Sequence, residues 1–346
     1  MESKNNPKIN ILFPFQEGAK GGGGNQFLKA LKKEWLALGL YEEDIKKSDI
    51  ILFNSHQFLS LAVKAKKKFP NKIFIHRIDG PMQTYRPKEA FLDNLIFKAN
   101  KFVCDGTIWQ SKWSQAENKK LFPYSCPFEK VIYNAPDGNV FNKKEKTFFK
   151  SYGKVRLLAA SWSSNKLKGF DFYQFLDENL DFTKYQMSFA GQSPVNFKNI
   201  KPLGVLNQIE LAWQMKQHDI FITASQVESC SNALIEALSC SLPCLAFNSS
   251  SNPEVIGKGG ELFENKKDLL LKIDKISKNY FVYQKNIPVF SLANVAKNYM
   301  DFANKIYQEA QSGFYAPREV GFMAVASFKK ANSKAFFKKA FNKLSK

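Results

Sequence analysis

Glu228 and Glu236 stand with seven residues between them in DIFITASQVESCSNALIEALSCSLPCLAF (219–247), where an apolar run passes through a short polar loop into a helix-period pattern. Eight steps at the helical rise amount to roughly 12 Å. Two carboxylates so placed can accept hydrogen bonds from hydroxyl groups at the two ends of one extended ligand. Between them Ser229, Cys230, Ser231 and Asn232 open the helix. Its unpaired amides and dipole make a seat for phosphate, and Ser231 or Asn232 can cap it. Taken alone, the pair reads more readily as a loop residue and a solvated helix face. Cys230 reads as a small space-filler, since no His lies near it in sequence.

Other chemistry-bearing residues gather at similar places. ASWSSNKLKGFDF (160–172) carries Asn165, Lys166 and Lys168-Gly169 between an apolar run and an amphipathic stretch, and YQMSFAG (185–191) ends a second run on Gly191. IHRIDGP (75–81) sets His76, Arg77 and Asp79 at or just past the end of a third run, with Asp79 able to orient Arg77 or cap a turn. Gly21–Gly24, including Gly22 and Gly23, lie between the first apolar run and the first amphipathic stretch. Glycines there let backbone approach a ligand closely and leave helix amides free for phosphate; a flexible linker is the alternative.

The elements that must position these residues alternate. INILFPF (9–15), DIILFN (49–54), KIFIH (72–76), KFVCD (101–105) and KVIYN (130–134) are expected strands, with helical material between them. The pattern lapses over 135–153, rich in turn residues and lysine, and resumes with VRLLAASW (155–162), YQMSFAG, DIFITAS (219–225) and PCLAF (243–247). The expected fold class is α/β: two parallel-sheet, Rossmann-like lobes facing a central cleft, with ligands at the carboxyl ends of the strands. The expected domains are 1–145, 146–310 and a tail, 311–346.

Several of these motifs, in this order, resemble the retaining glycosyltransferases of family 4, the "group 1" enzymes of GT-B fold. Their mark is an EX7E motif in a strand–loop–helix setting, here Glu228 to Glu236. The likeness extends to Lys168-Gly169, to the strand ending at Gly191, and to VIYNAPDGNVFN (131–142) as the segment between lobes, covering about residues 9–265. It implies that a nucleoside-diphosphate sugar is the donor substrate. Lys168, with Lys166 and Asn165, would hold the diphosphate beside Gly191 and the Ser229–Asn232 turn, and Glu228 and Glu236 would take sugar and ribose hydroxyls. Glu228 and His76 would be catalytic, with Gly22, Gly23, Arg77 and Asp79 on the acceptor or phosphate side. The acceptor would be a glycan or lipid-linked hydroxyl, as in polysaccharide biosynthesis, with neither cofactor nor metal needed. Two departures stand out: Ser163 occupies the position where the family carries Arg, and Ser229-Cys230-Ser231 replaces Gly-Phe-Gly.

Composition sets outer bounds. The formal net charge of +20 attracts polyanions and anionic membranes without specifying either. No zinc-knuckle, RNA-recognition or basic-zipper pattern points to nucleic acid. Five cysteines without a CxxC pair suit a reduced, cytoplasmic protein, and no signal-peptide core or spanning apolar run is present. The lysine-rich end FKKANSKAFFKKAFNKLSK (328–346) is read as an imperfect amphipathic helix, with Phe337, Ala340, Phe341 and Leu344 together and Phe328 pointing away, or as a disordered tail. As a helix it would lie on an anionic membrane surface. Competing readings are a non-enzymatic polyanion-binding protein and another sugar-nucleotide enzyme, such as an epimerase or phosphorylase.

Overall fold

A computed structural model describes residues 6–15 and 23–344. The chain divides into two compact units: Met1–Lys20, Leu28–Tyr133 and Ala293–Lys346 form one, Gly21–Phe27 and Asn134–Leu292 the other.

The first unit is built on a five-stranded sheet in the order β1 (Ile9–Ile11), β2 (Ile50–Asn54), β3 (Ile73–Ile78), β4 (Gly106–Trp109), β5 (Phe128–Val131). Every neighbouring pair is parallel. Every residue of β1 to β4 is buried, which is why these strands read as continuous apolar runs rather than alternations. The second unit holds β6 (Val155–Ser161), β7 (Tyr185–Gly191), β8 (Lys201–Gly204), β9 (Ile220–Thr223), β10 (Cys244–Phe247) and β11 (Gly260–Phe263). Its order is β11-β10-β9-β6-β7-β8, again with parallel neighbours. The order therefore reverses between β6 and β9, and the carboxyl ends of those two strands flank a topological switch point.

Three sequence expectations are corrected. KFVCD is not a strand: residues 101–103 end the helix Phe91–Val103, and the fourth strand is GTIW. Leu95, Ile96, Ala99 and Val103 are all buried at helical spacing, and that periodicity outweighs the local β-propensity.

The domain boundaries also change, because the chain returns to the first unit. Trp35 Nε1 donates to Ala296 O at 3.2 Å, and the Trp35 and Tyr299 rings meet at 6.1 Å. A Cβ on Gly106 would lie 2.4 Å from Ile306 Cδ1, so helix Leu292–Gln311 sits directly on this sheet. Beyond it, buried Asp105 accepts from Lys66 Nζ (2.8 Å), Tyr315 OH (2.9 Å) and Arg318 N (2.8 Å).

Nor is 311–346 a separate tail. Helix Phe322–Leu344 packs against helix Phe91–Val103, and Phe328, Ala331 and Ala335 join the apolar core of the first unit. Phe328, expected to point away, is 3% exposed. The side chains of Phe337, Ala340, Phe341 and Leu344 lie outside the described residues. Among the described residues no helix is long and apolar enough to cross a membrane.

Candidate functional site

Two loops leave the carboxyl ends of β6 and β9 in the second unit. After β6, Ser161 Oγ donates to Ser163 O (2.7 Å), Ser163 Oγ accepts from Asn165 N (3.2 Å), and Asn165 Oδ1 accepts from Leu167 N (2.9 Å). These short polar links wind Lys166–Lys168 into a 3-10 turn that stops at Gly169, whose φ is +74°. A side chain at Gly169 would place Cβ 2.2 Å from Ala224 O, so glycine is required for this loop to lie against the end of β9. Gly191, at φ +112°, has the same constraint against Ser161 O, 1.9 Å from its virtual Cβ.

The second loop is fixed from both sides. Tyr173 OH accepts from Ala224 N (2.9 Å), and Gln226 N donates to Leu167 O (2.8 Å). Ser250 Oγ accepts from Glu228 N (2.9 Å), and Glu228 O accepts from Ser251 N (3.2 Å). The outcome is a direct ion pair: Lys168 Nζ lies 2.5 Å from Glu228 Oε1, with side-chain exposures of 17% and 20%. Sixty residues apart in sequence, they meet because β6 and β9 are neighbours.

Past Glu228 the helix Asn232–Ser239 begins, and Ser231 rather than Asn232 is its cap, accepting from Leu234 N. Asn232 instead uses Oδ1 to accept from Asn134 Nδ2 (2.9 Å), while Asn134 N approaches Cys230 Sγ at 3.4 Å. Cys230 is buried, consistent with a packing part, and Ser229 is half-buried. Glu236 is half-buried one turn into the helix, and desolvation pushes its carboxyl up to about 7. Lys166 is exposed beside the half-buried Lys168. The second unit thus brings Asn165, Lys166, Lys168 and Gly191, and Glu228 through Glu236, to one edge of its sheet. Charged groups and helix amides there suit a diphosphate flanked by hydroxyl-bearing groups.

The first-unit candidates fare differently. His76 lies inside β3 rather than at its end. It is 0% exposed, stacked on Phe53 at 4.1 Å, with Nε2 donating to Ser55 O at 2.9 Å. Burial pushes its pKa down to about 3, so the ring is neutral. Arg77 is also 0% exposed; Nη1 donates to Asn54 Oδ1 (2.7 Å) and approaches Asp79 Oδ1 (3.4 Å). Gly22 lies outside the described residues, and Gly23 opens helix Gly23–Ala37.

Sequence reading missed the loop 248–252, whose Ser250 and Ser251 hold the Glu228 backbone, and missed Gln226 and Tyr173. The only local signal was the Asn-Ser-Ser-Ser-Asn run (248–252) directly after an apolar strand.

Residues 196–287 match the family described as glycosyl transferases group 1. No curated protein sequence matches the chain. Among solved structures, sucrose-phosphate synthase from Thermosynechococcus elongatus superposes with a TM-score of 0.63 at 12% identity, covering 89% of this chain and 99% of that one. HepE of Anabaena in complex with UDP-glucose gives 0.61 at 14%, with coverages of 89% and 99%. A glycosyltransferase from Rickettsia africae gives 0.60 at 15%, with the same coverages. At these identities the structures establish the fold, which is GT-B. With the group 1 segment carrying half of the switch-point site, the chain is a glycosyltransferase.

Proposed function

We propose that the protein is a retaining, family 4 type glycosyltransferase that moves a sugar from a nucleoside-diphosphate sugar to a hydroxyl of a glycan or lipid-linked acceptor. The observation that carries this reading is the Lys168–Glu228 pair at the β6/β9 switch point, beside a helix start. The lysine is a donor matched to diphosphate oxygens, and the carboxylate is an acceptor matched to sugar hydroxyls. Because an ammonium has three N–H donors, Lys168 can keep Glu228 while binding a phosphate oxygen. Lys168, Lys166 and the amides around Ser229–Asn232 would stabilise charge growing on the departing diphosphate. Glu236 would receive the ribose hydroxyls. Attack from the face the diphosphate leaves preserves the anomeric configuration. In this reading His76, buried and neutral, positions the β2–β3 region, with Ser55 as its partner.

Uridine diphosphate sugars are the donors to try first, since HepE of Anabaena is seen with UDP-glucose. Thermal-shift titration with uridine, guanosine and adenosine diphosphates and their sugars tests donor binding, because a bound ligand raises stability by mass action. Glu228→Ala should abolish transfer in a folded protein. Full transfer by that variant would overturn the assignment.

A further inference from the structure

Two thiols meet at the amino end of the first sheet. Cys104 Sγ lies 3.5 Å from Cys126 Sγ, and both cysteines are free. The contact follows from strand pairing. β4 and β5 run parallel with Gly106 opposite Phe128, and each cysteine stands two residues before its strand's member of that pair. Continuing that register sets the two backbones about 5 Å apart, inside the Cα window of roughly 4.4–6.8 Å that a disulfide needs. Passing from thiol contact to a bond of about 2 Å moves one sulfur by roughly 1.5 Å.

The two cysteines are not equivalent. Cys104 caps the end of helix Phe91–Val103 and is 0% exposed, and burial pushes its thiol up. Cys126 is 8% exposed, on the irregular stretch between Leu121 and β5. Hydrogen bonding with Cys104, the Phe128 amide and the nearby Arg318 guanidinium hold the Cys126 thiol below its ordinary value, against its burial. Cys126 therefore supplies the thiolate and meets a small oxidant first. β5 is the last strand of its sheet, so the shift falls on it rather than on β4, which is paired on both sides.

The returning chain holds the same two segments. Arg318 Nη2 donates to Ser125 O (3.1 Å) and Nη1 to Lys101 O, so one guanidinium grips both cysteine-bearing stretches. Arg318 N and Tyr315 OH bind Asp105, the neighbour of Cys104, and the Tyr315 ring meets Phe128 edge-on at 5.1 Å. Movement of Cys126 carries Ser125 and Phe128 with it, and hydrogen bonds tolerate only a few tenths of an ångström. A disulfide also carries no charge, so forming one removes the attraction between Arg318 and a Cys126 thiolate.

We infer that Cys104 and Cys126 are an oxidative modification site, a thiol pair that a hydroperoxide converts to a disulfide, with the strap 312–321 loosening as the bond forms. The Cys126 thiolate attacks a peroxide oxygen: an S–O bond forms, the O–O bond breaks, and hydroxide leaves to take up the proton Cys126 had lost. Cys104 then attacks the sulfenic sulfur. The S–S bond forms, the S–O bond breaks, and the departing hydroxyl leaves as water with the Cys104 proton. Two thiols lose two electrons, and one peroxide becomes two waters.

The full chain, reduced and then treated with hydrogen peroxide, should lose about 2 Da, the mass of two hydrogens. Trypsin without reductant should release Phe102–Lys112 and Leu121–Lys130 as one linked species, which dithiothreitol separates. Cys104→Ser should stop Cys126 at the sulfenic acid, which dimedone traps, and Cys126→Ser should leave Cys104 a thiol. Chymotrypsin should cut within 312–321 about threefold faster or more in oxidised than in reduced wild type. In Cys126→Ser, peroxide should leave that rate unchanged. The linked peptides and the cleavage ratio are both read on wild type, so they stand whether or not a variant folds. Absence of the linked peptides after peroxide, or a link between other cysteines in their place, overturns the site. Equal cleavage of oxidised and reduced wild type overturns its coupling to the strap.

Discussion

Lys168 and Glu228 form a 2.5 Å ion pair across sixty residues of chain, each on a loop leaving one of two adjacent parallel strands. Both side chains are about one-fifth exposed, so the pair is only partly screened by solvent. Removing either partner leaves the other half-buried and costs about 1 kcal/mol of stability. Catalytic effects should be far larger. Lys168→Ala and Glu228→Gln should each lower transfer by about a hundredfold or more, the scale of losing one preorganised charged contact, while melting temperatures move by a few degrees. Steady-state kinetics beside calorimetry check both halves.

Gly169 is the steric condition for that meeting. Gly169→Ala would drive a Cβ into Ala224 O and hold alanine at a φ of +74°. A loss of about 2 kcal/mol or more is expected from backbone strain alone, and the loop can relieve it only by leaving β9. Denaturant unfolding should show the loss, and donor affinity should fall with it even though no donor-contacting side chain has changed.

Glu236 gives a pH signature. Its carboxyl titrates near 7 in the folded chain against an ordinary value of 4.5, because burial disfavours the anion. Between those values the folded state binds more protons than the unfolded state, so this group's contribution is greatest below about 4.5, falls as pH rises, and levels off above about 7. Glu236→Gln should flatten that part of the stability profile. Hydroxyl donors of a bound ribose favour the anion, so nucleotide binding near pH 6.5 should release protons. Isothermal titration in buffers of different ionisation enthalpy should detect the release in wild type and not in Glu236→Gln.

Asp105 ties the end of the chain to the first unit. Both side chains of the Lys66–Asp105 pair are 0% exposed, and removing one partner strands the other, at a cost of about 3–5 kcal/mol. Asp105→Asn also weakens the bonds from Tyr315 OH and Arg318 N. Limited proteolysis should then cut near residues 312–321 sooner than in wild type.

The lysine-rich end is expected from sequence to meet an anionic membrane surface, and truncation tests that expectation. A chain ending at Ala335 keeps the residues that pack in the core and loses lysines 338, 339, 343 and 346. It should sediment less with phosphatidylglycerol vesicles than the full chain. Equal sedimentation would remove the membrane from the list of partners.

Much of this was legible in the linear sequence, because it is written in local patterns. Apolar runs marked most strands of both sheets, and the strand–loop–helix setting of Glu228 and Glu236 was legible too, since strand burial and helix starts depend on neighbours a few residues away. The short strands β8 and β11 had no such runs, and KFVCD had the β-rich composition of a strand while its neighbours carried the helical period. Tertiary structure alone decided which loops meet. Strand order is a choice among pairings distant in sequence: placing β6 beside β9 joins Lys168 to Glu228, and placing β10 beside β9 makes Ser250 the support of the Glu228 backbone. Folding also decided which polar residues lost their solvent: His76 and Arg77, expected just past a strand end, are fully buried within β3. The segment from Ala293 onward returned to the first unit for the same reason. Trp35, Gly106 and Asp105 are covered by helix Leu292–Gln311 and the segment beyond it, and no local pattern records where a chain will find its partner.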